Sequence, residues 1–221
     1  MQRIAPRAAR ADTLAAGGFM KLYDSKFAPN PRRVRIYLAE KGIEVPTEQV
    51  DLAKGETRKA PYLAKNSLGG LPALELDDGT VIAESVAICR YFEEIRPDPP
   101  LFGTDAKDRA LVEMWQRRME LEVFRHVTGC FQHTHDFFKG RIEQIPAFGE
   151  LSRKAARARL AWLDGDLGDR SFIAGERYTI ADITALCAID FGRVVDIRIA
   201  PEQKNLLRWY ESVSSRPSAK A

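Results

Sequence analysis

Cysteine is scarce in this chain of 221 residues, and so is histidine, with three of each. Cys89, Cys130 and Cys187 stand far apart, without C-x-x-C or ligand-like spacing. That excludes a disulfide framework and fits a reducing cytoplasm, with the three thiols as core fillers. The histidines, His126, His133 and His135, share one stretch, RHVTGCFQHTHDFF. His133 and His135 are two apart and point to different faces of a helix, unlike an i, i+4 pair, so no metal is expected. No run approaches the roughly 18 apolar residues that span a bilayer, and no membrane partner is expected. Charge of one sign is lacking too. The formal +3 comes from 34 basic and 31 acidic residues, and residues 1–19 hold three arginines (Arg3, Arg7, Arg10) against one aspartate (Asp12). Setting those aside leaves 31 basic and 30 acidic residues, which argues against a nucleic-acid partner.

Residues 1–19 are rich in Ala and Arg, have no periodicity and end near Gly17 and Gly18. They lack the apolar centre of a secretory signal and read as a disordered extension, or as sequence upstream of a true start at Met20.

What is present is organised around GGLPALELDDGTVIAES, residues 69–85. Ala73 to Leu76 alternate, Asp77, Asp78 and Gly79 turn, and Thr80 to Ile82 return, which predicts a β-hairpin. Proline alone makes a cis peptide inexpensive, so Leu71-Pro72 is a candidate cis turn that aims the Leu71 backbone outward to pair with an extended peptide. Glu84 and Ser85 precede a helical run with Ile88, Tyr91, Phe92 and Ile95, and a helix N-terminus with a Ser hydroxyl binds carboxylates. Together these imply a small acidic peptide ligand. The alternative is a hairpin and a capped helix with no ligand.

Around this stretch, Lys21 to Asp24 predict a strand. A helix follows with Asn30 as N-cap, Pro31 at its first position and Gly42 at its end. Ile43 to Asp51 read as a second strand. A β-α-β unit followed by a β-β-α unit is the thioredoxin-like arrangement, placed at residues 20–96. RPDPPLFG, with three prolines, supplies a linker over 97–103. Residues 104–221 read as all-helical. Leu111, Trp115, Met119, Val123 and His126 mark one long helix, and others cover Ala147 to Leu167 and Asn205 to Val213. Thr179 and Asp182 form a capping box that opens an apolar helix, a structural role with no chemistry expected of Asp182.

The ordered set GLPAL, AESVAICRYFEE and FIAGERYTIADI resembles the cytosolic glutathione transferases, from about Met20 to the end. The resemblance implies glutathione as co-substrate and a homodimer. It implies that the Leu71 backbone, ahead of Pro72, pairs with the cysteinyl part of glutathione. Ser85 would hold the γ-glutamyl carboxylate, with Glu84 near the amino group. Lys59 or Arg58 stands where several members keep a basic residue for the glycine carboxylate. The chain departs from the family at the residue that contacts the thiol in serine and cysteine types, which here is Ala28. Alanine neither donates to a thiolate nor forms a mixed disulfide, so cysteine-dependent thiol-transferase chemistry is not expected. The loop KFAPNPRRVRI resembles bacterial transferases with an APTPNG loop, where Thr stands at the place of Asn30. Asn30 is therefore the first candidate for the catalytic contact and Ser25 the second, while Tyr23 is expected to pack beneath the site. The acceptor pocket is expected between the domains, lined by the 26–29 loop and the second domain's early helices, where His126, Phe131, His133, His135, Phe137 and Phe138 cluster by aromatic packing, some of them facing an apolar substrate and the histidines as candidate wall residues. The rival functions are glutathione-dependent disulfide or peroxide reduction, and a non-catalytic binding protein on the same fold.

Overall fold

A computed structural model describes residues 20–221; the expected disordered extension lies outside the described residues. Four short strands form one sheet in the order β2-β1-β3-β4, where β1 is Lys21–Asp24, β2 Thr47–Gln49, β3 Ala73–Glu75 and β4 Val81–Ala83. β1 and β2 run parallel because helix α1 (Pro29–Lys41) crosses between them. β3 and β4 are antiparallel, joined by the tight turn around Asp77, Asp78 and Gly79. Helix α2 (Ala60–Leu63) precedes β3, and helix α3 (Ser85–Ile95) follows β4. This is a thioredoxin-like domain.

Register decides where a ligand site can lie. Tyr23 pairs with Ala73, and Ala73 with Ala83. The chain leaves β1 at Asp24, enters β3 through Leu71 and Pro72, and leaves β4 into Glu84 and Ser85. All three segments therefore emerge at one end of the sheet, as does the start of α1.

Helix α1 corrects one expectation. Its N-cap is Ala28, in extended conformation, and the helix starts at Pro29, so Asn30 lies in the first turn and its side chain caps nothing. The residue before a proline is pushed toward extended backbone, and both Ala28 and Asn30 precede one. The earlier start prevails, with the Arg32 N–H donating to the Ala28 carbonyl at 3.2 Å. Prolines at positions 29 and 31 are tolerated because first-turn N–H groups have no intrahelical acceptor.

The second domain is helical. Helix α4 (Ala106–Arg118) passes without a break through a wider π-type turn, Met119–Phe124, into α5 (Arg125–Thr134). The buried stripe runs through Val112, Trp115, Met119, Val123 and Val127, the π turn carrying it on to Val127 rather than His126, while Leu111 in α4 is exposed. Helices α6 (Pro146–Leu167), α7 (Ile180–Gly192) and α8 (Lys204–Ser214) complete the domain. α7 is buried almost all round, and the Thr179/Asp182 capping box closes its start.

One hydrophobic cluster runs from Leu22, Tyr37, Leu74 and Phe92 in the first domain to Trp115, Met119, Ile183 and Trp209 in the second. A small separate cluster, Tyr23, Val50, Tyr62 and Ala73, fills the opposite face of the sheet. Cys89, Cys130 and Cys187 are free and buried, as core fillers should be. The segment between α3 and α4 is pinned from below. Lys41 of α1 pairs with Glu93 and donates to the carbonyls of Arg96, Pro97 and Pro99.

Candidate functional site

A cleft of about 1180 Å³ opens between the domains. Its first wall is the loop Ser25 to Pro29 with Gln49 to Gly55, Thr57, Arg58 and Gly69. Its second wall is Phe131, Phe137, Phe138, Arg141 and Ile142, with Phe191 from α7. Pockets for one small molecule usually span about 300–1,000 Å³, so this cleft has room for a short peptide and a second molecule.

The loop after β1 is held by charge. Asp24 is buried and accepts from Arg35 at 2.6 Å and from Gln49 Nε2 at 2.7 Å, while Gln49 Oε1 accepts from the Lys26 N–H at 3.0 Å. Arg35 also donates to the Lys26 carbonyl. The loop is thereby fixed at both ends while its tip, Phe27, is 90% exposed. Ser25 lines the cleft, and its hydroxyl bonds to no described residue.

Asn30 is not part of the cleft wall, but it stands just behind it in the first turn of α1. Pro29 and Pro31 have no N–H, so the Asn30 backbone N–H is the first-turn donor on offer. Its side-chain amide is not spent on a cap. Tyr23 is buried and faces away, its hydroxyl donating to Glu75 at 2.5 Å beside Lys65. Burial, reinforced by that bond to Glu75, raises its phenol above the ordinary value, and the hydroxyl's proton is spent on Glu75.

At the end of the sheet, the Leu71–Pro72 peptide is cis. The Leu71 N–H and C=O bond to no described residue. Glu84 has φ 67°, an unusual conformation for a residue with a side chain, and turns the chain directly into α3. Strain of this kind costs about 1–3 kcal/mol and clusters at functional sites. Ser85 is the first residue of α3, buried, with Arg33 donating to its Oγ at 2.6 Å. Leu71, Pro72, Glu84 and Ser85 thus gather at the rim beside the cleft rather than in its wall.

Of the two basic candidates, Arg58 lines the cleft, with Nη1 donating to the Leu68 carbonyl at 3.1 Å. Lys59 is exposed and is not among the residues that line the cleft. Gly69 beside it has φ 61°, and a Cβ there would lie 2.7 Å from the Thr57 carbonyl oxygen, so no other residue lets these two loops touch.

The aromatic wall is tightly packed. Phe131 stacks on Phe137 at 6.1 Å between centroids and meets Phe138 and Phe191 edge-on at 5.4 and 4.8 Å. The histidines do not line it. His133 Nδ1 accepts from the Ile145 N–H and His135 Nδ1 from the Phe137 N–H, so both cap backbone. His126 is also outside the wall, and burial lowers its imidazole below the ordinary value. No group of three or more His, Cys, Asp or Glu among the described residues is placed to hold a metal.

Two parts of the site escape sequence reasoning. Arg141 reaches across the cleft and donates to the carbonyls of Leu52 and Ala53 at 2.9 and 3.0 Å, with its guanidinium 4.3 Å over Phe137. Its partners lie almost 90 residues away in the chain, and no local pattern announces them. Phe191 ends an apolar helix and looks like any core residue.

Known proteins share this arrangement. The family description "Glutathione S-transferase, N-terminal domain" matches residues 27–95, and "Glutathione S-transferase, C-terminal domain" matches residues 147–217. The chain is 36% identical over 205 residues to "Glutathione S-transferase 2" of Saccharomyces cerevisiae, covering 91% of this chain and 88% of that protein. Among solved structures, a glutathione S-transferase domain-containing protein of Marinobacter aquaeolei superposes with a TM-score of 0.86 at 38% identity, covering 90% of this chain and 98% of the other. Gtt2 of Saccharomyces cerevisiae superposes with a TM-score of 0.86 at 35% identity, with the same coverage.

Proposed function

Because the chain belongs to the glutathione S-transferase family, we infer that it binds glutathione along the end of the sheet and conjugates its thiolate to small apolar electrophiles held in the cleft. The observation that carries this reading is the facing of two unlike walls. The Ser25 to Pro29 loop and the start of α1 lie on one side, a phenylalanine cluster on the other.

In this reading the cysteinyl backbone pairs with the open N–H and C=O of Leu71, ahead of Pro72. The γ-glutamyl end lies at Glu84 and Ser85, and the glycine carboxylate lies toward Arg58 in preference to Lys59. The sulfur then falls near Ala28. A free thiol has a pKa near 8.5 and reacts as the thiolate, so the protein's contribution is to favour that form. The helix N-terminus does this through its positive end and the Asn30 N–H, and a Ser25 hydroxyl or Asn30 amide adds a second donor. Positioning supplies the rest, since two bound reactants meet at high effective concentration. No enzyme-bound covalent intermediate is needed.

The homodimer belongs to the same reading. Leu111, Met114 and Leu121 are exposed apolar residues at helical spacing along the outer side of α4 and the π turn, and a partner copy would cover them. So does a cytoplasmic, detoxifying role.

Ala28 gives weight to the reading of a binding protein without turnover, and one experiment separates the two. The thiolate absorbance of bound glutathione is titrated against pH in the wild type, Asn30→Ala and Ser25→Ala. We expect the bound thiol to titrate at least one pH unit below free glutathione, and to rise by about 0.5–1 unit in the variant that loses the donor. Binding with an unshifted thiol would remove conjugation and leave the binding protein.

A further inference from the structure

Arg33 is a buried charge that the fold leaves largely without partners. Its side chain is 1% exposed, on the face of α1 that meets α3 and the second domain. It makes a single hydrogen bond, from Nη1 to Ser85 Oγ at 2.6 Å, and its Nε and Nη2 have no partner. The nearest carboxylate, Glu120 at 3.8 Å, is already engaged by Arg117 at 2.9 Å. The Phe124 ring, 5.1 Å from the guanidinium, is its remaining compensation. A buried cation with open donors is unfavourable, and an unbranched apolar side chain would fill the same space.

The one group it does serve is at the start of α3. The N–H groups of Ser85, Val86 and Ala87 open that eleven-residue helix and bond to no described residue. Because Arg33 donates to Ser85 Oγ, the Ser85 hydrogen is directed away from it, and the adjacent positive charge makes that hydroxyl a stronger donor. A helix N-terminus, a polarised hydroxyl and a buried cation behind it make a site for one carboxylate.

We propose that Arg33 is a positioning residue that acts through Ser85 to hold the α-carboxylate at the γ-glutamyl end of glutathione. This rests on the reading of glutathione as ligand. The buried charge is retained for the ligand, and its cost to the fold is offset when the anion arrives.

The test measures calorimetric affinity for glutathione and for the analogue that lacks only the γ-glutamyl α-carboxylate. It compares the wild type, Arg33→Met, Arg33→Lys, Ser85→Ala and the Arg33→Met/Ser85→Ala double variant. The wild type is expected to prefer glutathione by about tenfold or more, as a charge-assisted contact would give. Arg33→Met should lose most of that preference while binding the analogue as the wild type does, and Arg33→Lys should regain part of it. In the Ser85→Ala background, Arg33→Met should change affinity less than twofold. Arg33→Met should also melt at or above the wild-type temperature, since Glu120 keeps Arg117.

Equal weakening toward both ligands would show a purely structural arginine and overturn the proposal, as would additive losses in the double variant. Failure of Arg33→Met to fold would overturn it too, because the fold would then need the charge. A wild type that binds neither ligand would instead remove the glutathione reading itself. Glu120→Gln is the control: a drop in preference there would assign Arg33 to domain docking.

Discussion

Asp182 shows how one side chain can organise a domain without touching a ligand. Its two carboxylate oxygens are fully buried and accept four hydrogen bonds, from the Ile173 N–H and Trp209 Nε1 at 2.8 Å, and from the Thr179 N–H and hydroxyl at 2.9 and 3.1 Å. Those donors come from the loop before α7, from its cap and from α8. Removing the carboxylate strands three buried N–H groups, each costing about 1–3 kcal/mol when left without a partner. We expect Asp182→Ala to lose about 3 kcal/mol or more of unfolding free energy, and Trp209→Phe, which removes one donor and keeps a ring, to lose clearly less. Urea unfolding of both measures this, and equal losses would assign Asp182 no special place. The proposed thiol site works on the opposite logic. Ser25 and Asn30 hold polar groups unspent, and an unspent donor near a cleft is available to a ligand.

At the scale of elements, the C-terminal segment is tied to α1 by charge. Arg216 makes a forked bond to Glu40 at 2.6 and 2.8 Å, and Ser218 donates to the same carboxylate. Burial by itself would raise Glu40, but the bonds from Arg216 and Ser218 outweigh it and hold the carboxyl below its ordinary 4.5. A carboxyl lowered in the folded state stabilises above its unfolded pKa, and the contribution fades as pH falls through the folded pKa. The stability difference between wild type and Glu40→Gln should therefore be steady from pH 7 to about 5 and shrink below about pH 4. A difference that stays constant to pH 3 would mean that folding leaves the Glu40 pKa where it is in the unfolded chain, so the bonds from Arg216 and Ser218 do not favour its charged form. These elements also show what the chain discloses. Alternation around a DDG turn, the Thr-x-x-Asp box and the proline run were legible because each is local, and the hairpin, α7 and the segment before α4 follow from them. The start of α1 was not, since two successive X-Pro pairs offer the same cap and only packing selects Ala28. Nor was the π turn, which shifts the stripe on α5 without any proline or glycine to mark it. In sequence the histidines are candidates for the cleft wall, but His133 and His135 each spend a ring nitrogen on a backbone N–H, of Ile145 and Phe137, which no local pattern announces.

For the whole molecule the question is whether two domains behave as one. The hydrophobic cluster is continuous between them, and Arg32 of α1 pairs with Asp190 of α7 at 2.7 Å. Arg141 bridges the far side of the cleft. A shared core of this kind couples unfolding, because exposing one half uncovers apolar surface on the other. The three tryptophans, Trp115, Trp162 and Trp209, all lie in the second domain, so their fluorescence is blind to a first domain that melts alone. Lys41 belongs to the first domain, has its side chain fully buried, and pairs with Glu93. Lys41→Met leaves that carboxylate buried without its cation and should cost about 3–5 kcal/mol. If the molecule is one cooperative unit, this first-domain substitution lowers the urea midpoint of tryptophan fluorescence as far as it lowers that of far-UV circular dichroism. If the dichroism splits into two steps while the fluorescence stays where it was, the domains are separate units. The cleft would then open by melting one wall, and the pre-formed site on which the proposed thiol activation depends would be lost with it.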